Sequence, residues 1–103
     1  MKPLGAHNYF VYITTNPRKT VLYTGVTNDL FLRIQQHFEN KGKKETFAGK
    51  YYCYKLLYYE HYTDINVAIE REKELKDLSR EKKLEIIHSV NPLLNFLVIS
   101  HDL

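Results

Sequence analysis

A chain of 103 residues, 44% apolar and 26% charged, supports one hydrophobic core and hence a single domain over residues 1–103. The lone cysteine, Cys53, excludes an internal disulfide and a multi-cysteine zinc site, and the absence of a long apolar run or a signal-peptide pattern points to the cytoplasm rather than a membrane. A net charge of +3 admits a nucleic-acid partner without requiring one, and nine tyrosines beside no tryptophan are the compositional oddity.

Residues 1–6 read as a short lead-in. Residues 8–15 and 20–25 are β-branched and aromatic, as strands are, with the turn signal Asn16-Pro17-Arg18-Lys19 between them. A four-residue loop sets Thr15 opposite Thr20 and, in the same register, Tyr12 opposite Tyr23. Two phenols then stand side by side, either as plain packing or as the wall of a site. After Gly25, Asn28 or Asp29 is a natural N-cap, and Leu30, Ile34 and Phe38 mark the buried stripe of a helix. Arg33 and His37 are four apart and share a face that overlaps this stripe. A guanidinium and an imidazole at the edge of a core suit a phosphate and a proton, or else a structural carboxylate and a satisfied boundary histidine.

Residues 40–50 form a basic, mobile loop in which Lys41, Lys43, Lys44 and Lys50 either touch phosphates or are simply solvated. Residues 54–61 are expected to be a third strand. Asp64 caps a second helix running to about Asp77, with Ile65, Ala68, Ile69 and Leu75 on its buried stripe and Glu72 in the middle of that stripe. Glu70, Arg71, Lys73, Glu74 and Asp77 read as ordinary solvated charges. An inward carboxylate is costly unless it is paired or bound to a cation. For Glu72 the choices are a salt bridge to Arg33 or Lys76, or a divalent ion such as magnesium. Ser79 opens a third helix with Leu84, Ile87 and Ile86 inward, Asn91-Pro92 ends it, residues 93–99 dock as a strand-like segment, and residues 101–103 fray.

Taken together these residues resemble the GIY-YIG nuclease domain. The two name motifs appear as Phe10-Val11-Tyr12 and Tyr23-Thr24-Gly25, followed by Arg33, by His37 one turn later, by Glu72 on the helix after the third strand, and by Asn95 near the end. The glycine and isoleucine of the first motif are replaced by Phe10 and Val11, while its tyrosine survives as Tyr12. The resemblance is to short stand-alone bacterial members of the excision-repair and intron-endonuclease superfamily. It implies an α+β fold, a three-stranded antiparallel sheet flanked by helices in the order β-β-α-β-α-α. It further implies a metal-dependent endonuclease acting on nucleic acid, DNA before RNA, with Tyr12, Tyr23, Arg33, His37 and Glu72 catalytic. Glu72 would hold one Mg²⁺ or Mn²⁺, and Lys41, Lys43, Lys44, Lys50 and Asn95 would touch the nucleic acid. The competing reading is a catalytically silent nucleic-acid-binding module with the same fold.

Overall fold

The run Tyr-Phe-Val-Tyr-Ile-Thr-Thr forms β1 (Tyr9–Thr15), a strand apolar on both faces, and such a strand belongs in the middle of a sheet covered on both sides. A computed structural model describing residues 7–100 places it there. β2 (Leu22–Thr27) and β3 (Lys55–Tyr62) pair with it antiparallel on either side, in the order β2-β1-β3. The expected lead-in over residues 1–6 and the expected fraying over residues 101–103 fall outside the described residues.

Four helices complete the chain: α1 (Leu30–Glu39), α2 (Phe47–Lys50), α3 (Ile65–Asp77) and α4 (Arg80–Val90). Each of the three longer ones starts where the sequence offers a cap. The side chains of Asp29, Asp64 and Ser79 accept hydrogen bonds from first-turn amides. On one face of the sheet Phe10 and Tyr12 pack with Leu30 and Leu56, joined by Ile34, Leu97 and Ile99. On the other, Val11 meets Ala68 and Leu75 of α3, and Ile13 meets Leu57 of β3 and Ile87 of α4. The tail does dock beside β3: Leu97 N–H donates to the Leu56 carbonyl at 2.8 Å.

The structure corrects several expectations. The hairpin register is Tyr12 with Gly25 and Thr15 with Leu22, not Tyr12 with Tyr23. The cause is Asn16, whose Oδ1 accepts the amides of Thr20 (2.8 Å) and Val21 (3.0 Å), so that the loop holds six residues and β2 starts two later. A slip of two keeps side-chain parity. Tyr12 and Tyr23 therefore still share a face, as diagonal neighbours with ring centroids 6.3 Å apart. Phe38 is not buried; it is half in water, edge-on to Tyr54 and beneath the Lys41 ammonium. Ile65 is also exposed, because α3 meets the sheet through Ala68 and Leu75, beyond its first turn.

The segment over residues 40–50 is built rather than loose. Thr46 caps the single turn α2, Gly42 N–H donates to the Gly49 carbonyl at 2.8 Å, and Cys53 N–H donates to the Ala48 carbonyl at 2.8 Å. Gly49 must lack a side chain, since a Cβ there would overlap the Lys43 carbonyl and lie 2.8 Å from that of Asn40. No helix among the described residues is long and apolar enough to cross a membrane.

Candidate active site

Tyr12 is the hub of the site. It stands on the central strand, 1% exposed, and its ring crosses directly over Gly25, the residue paired with it on β2. A Cβ at Gly25 would lie 2.5 Å from the Tyr12 hydroxyl and 2.6 Å from Cζ. The second motif therefore ends in glycine because the first ends in a tyrosine laid flat across it.

Beyond Gly25 the Tyr12 hydroxyl reaches Nε2 of His37 on α1, at 2.7 Å. Tyr23 closes the group, its ring 5.4 Å from that of His37 in an edge-on contact. Burial, aided by the Arg33 guanidinium, pulls the His37 pKa down from 6.5 to about 4, so the imidazole is neutral at pH 7. Burial foremost, then the charge of Tyr23, pushes the Tyr12 phenol well above its usual 10. Arg33 opposes that rise and Glu72 adds to it. The phenol is thus protonated at rest. With a donor-only guanidinium acting on its oxygen, we assign its O–H to His37, whose Nε2 accepts.

The structure thereby brings Tyr12, Tyr23 and His37 into contact and sets Arg33 and Glu72 within electrostatic reach of the same hydroxyl. Glu72 is only 16% exposed, and its recorded ion-pair partner is Lys76 at a long 3.5 Å, not Arg33. Arg33 Nη1 makes a weak 3.4 Å bond to Gln36. No three His, Cys, Asp or Glu side chains converge as an all-protein cation cage among the described residues. A single, mostly buried carboxylate with one loose partner fits a hard ion that keeps waters and takes oxygens from its substrate.

The outlying candidates are more scattered. Lys41 leans on the Phe38 ring, Nζ 3.7 Å from its centroid, and Lys50 lies 5.3 Å from the centroid of Tyr51. Lys43 and Lys44 are exposed and form no ion pair among the described residues. Asn95 is exposed in the tail. The buried asparagine is Asn91, whose side chain donates to the carbonyls of Leu57 and Asn95 and accepts the Asn95 amide. A cavity of about 360 Å³ between α1, β3 and the tail is lined by none of the five central residues.

One charged cluster escaped the sequence reading. Arg71 is no solvated charge: its Nε and Nη2 grip Glu60 on β3 at 2.9 and 3.0 Å, and the hydroxyls of Tyr58 and Tyr62 donate to the same carboxylate. Burial alone would raise the Glu60 pKa, but these four donors outweigh it and hold the carboxyl below its usual value. The signal was present in Tyr58, Glu60 and Tyr62, which at period two must share a face. This clamp ties α3 to β3 at the residue next to Glu72.

A central-strand tyrosine over a glycine, a histidine and an arginine on the following helix, and a lone glutamate on the helix after β3 together define a class. Residues 8–85 match the model of the GIY-YIG catalytic domain, and the chain belongs to the GIY-YIG family. Its relatives are small bacterial proteins. It is 37% identical over 79 residues to a UPF0213 protein of Staphylococcus epidermidis, covering 77% of this chain and 93% of that one. It is 35% identical over 80 residues to a UPF0213 protein of Staphylococcus aureus, covering 78% and 94%. The solution structure of a UPF0213 protein from Bacillus halodurans superposes with a TM-score of 0.53 at 31% identity, covering 84% of this chain and 88% of that one. The three-stranded antiparallel α+β architecture expected from the sequence is the one found.

Proposed function

We propose that this protein is a cytoplasmic, metal-dependent endonuclease that hydrolyses phosphodiester bonds in nucleic acid, in DNA before RNA. The observation that carries the reading is the 2.7 Å bond from the Tyr12 hydroxyl to a neutral His37, within reach of one guanidinium and one carboxylate. Hydrolysis needs an activated water, relief of charge on the phosphoryl oxygens and a stabilised leaving group.

A free phenolate at Tyr12 is out of reach near neutrality, but a relay does not require one. As the Tyr12 oxygen takes a proton from the attacking water, its own proton passes to Nε2 of His37. The resulting imidazolium, disfavoured first by burial and then by Arg33, gains a counter-charge once a phosphodiester anion sits against that guanidinium. Arg33 donates to the non-bridging oxygens, its charge fixed throughout the reaction. Tyr23 holds the His37 ring in place. One Mg²⁺ or Mn²⁺ held by Glu72 would supply positive charge beside the leaving oxygen.

The test is incubation of the purified protein with supercoiled, single-stranded and branched DNA plus Mn²⁺. Glu72→Ala and Arg33→Ala are expected to abolish nicking while leaving the circular dichroism spectrum intact. Full activity in either variant refutes the assignment. Salt-sensitive binding without turnover in the parent protein would instead select the silent binding module.

A further inference from the structure

The rings of the site do not stop at Tyr23. Phe47, at the start of α2, lies 6.3 Å from Tyr23 with the two planes only 25° apart, and Tyr51, just past the end of α2, lies 4.7 Å from Phe47. Together with His37 and Tyr12 they make a continuous series of rings that runs from the 1%-exposed Tyr12 to a half-exposed Phe47 and a Tyr51 that is 39% exposed. Nothing in the packing of the core requires Phe47 to stand in water. Its neighbours Ala48 and Gly49 are the buried ones, and the hydrogen bonds of Thr46, Gly42 and Cys53 fix the turn that lifts the two rings outward. Lys50 sits beside Tyr51, and Lys43 and Lys44 extend into solvent from the same segment.

Exposed rings on a hydrogen-bonded turn, with the Lys50 ammonium beside Tyr51 and two more lysines on the same segment, match one kind of occupant: an aromatic base on a polyanionic backbone. An aliphatic or acidic partner would use the lysines but leave the ring faces without purpose. A duplex conceals the faces of its bases, whereas an unpaired strand offers them.

We propose that Phe47 and Tyr51 form a stacking platform for an unpaired base beside the scissile phosphate, and that the substrate is DNA in single-stranded form. This deepens the nuclease reading and rests on it for the position of the phosphate. Stacking on such rings is tolerant of base identity, so the platform selects strandedness and not sequence. The hydrogen-bonded turn beneath it lowers the ordering cost of binding.

The experiment measures binding in EDTA, so that cleavage does not enter. The probe is a short single-stranded oligonucleotide carrying one 2-aminopurine, beside a duplex of the same sequence. The parent protein is expected to bind the single strand and quench the probe. Phe47→Ala is expected to weaken single-strand binding about tenfold, and Tyr51→Ala to weaken it as well, with duplex affinity unchanged. Phe47→Leu, which keeps bulk but loses the ring, is expected to abolish quenching. Both residues are solvent-facing, and circular dichroism checks that the variants fold. Retained single-strand affinity in the alanine variants, an equal loss for single strand and duplex, or persistent quenching with Phe47→Leu overturns the proposal. Ring-dependent binding in a protein that nicks nothing with Mn²⁺ would uphold the platform and sink the nuclease; nicking that ignores both ring substitutions would do the reverse.

Discussion

Replacing Gly25 by alanine tests the geometry at its tightest point. The new Cβ would meet the Tyr12 hydroxyl at 2.5 Å, Cζ at 2.6 Å and Cε1 at 2.9 Å. To regain a contact of about 3.5 Å the phenol must retreat by about 1 Å. It has nowhere to go, being enclosed by Phe10, Leu30 and Leu56 and tied to His37. Overpacking a core costs about 1–3 kcal/mol, and losing the bond to His37 about 1 kcal/mol more, so Gly25→Ala should destabilise the protein by about 2–4 kcal/mol. On the proposed mechanism, a displacement of this size at the Tyr12 hydroxyl should also lower nicking about 100-fold. Urea denaturation and Mn²⁺-dependent nicking measure the two effects. The decisive control is the double-mutant cycle: with Tyr12→Ala already in place, the obstacle is gone, and Gly25→Ala should cost less than about 0.5 kcal/mol. An equal cost in both backgrounds would show that glycine is needed for its own backbone and not for the ring above it.

Arg71→Met leaves Glu60 charged, half-buried and short of two donors. Allowing for partial solvation, a loss of about 2–3 kcal/mol is expected in urea denaturation, and a loss below about 0.5 kcal/mol would mean that the clamp is decorative. The lowered Glu60 pKa fixes the sign of the acid response: its contribution is complete above the ordinary carboxyl value of 4.5 and disappears as pH falls through the depressed folded value. Glu60→Gln should remove that part of the acid transition. For His37 the folded pKa near 4 lies below the ordinary 6.5, so the unfolded chain binds the proton first. Stability should therefore decline as pH drops from about 6.5 towards 4. A nuclear magnetic resonance titration of the ring should give a midpoint near 4; a midpoint at the ordinary value would contradict its enclosure beside Arg33.

Local chemistry made much of this structure readable in the sequence. Asp64 and Ser79 announced two helix starts and the Asn28-Asp29 pair a third, where the cap is Asp29; each lies where a short polar side chain precedes an apolar rhythm. His37 and Glu72 stood out because polar groups on partly buried positions need partners, whereas Arg33, expected at the edge of the core, is exposed on α1. The hairpin register was not legible, because one side chain, that of Asn16, enlarges a loop that residue counting treats as a plain turn. The α2 turn was missed for a similar reason. Its lysines advertise a solvated loop, while the hydrogen bonds through Gly42, Thr46 and Gly49 that fix it are not periodic. Arg71 looked solvated on a helical projection, because the carboxylate that holds it comes from a strand eleven residues earlier.

The placement of Tyr12 on β1 puts the hub of the candidate site on the most deeply buried strand among the described residues. That strand is paired along both edges, and Val11, Tyr12, Ile13, Thr14 and Thr15 are each at most 1% exposed. Fraying of an outer strand or release of the tail should leave it in place, so its amides are expected to exchange with solvent only when the whole domain opens. If the nuclease proposal holds, nicking should be lost where the domain melts, and substitutions that strengthen the far side of the sheet should raise that temperature without touching Tyr12 or His37.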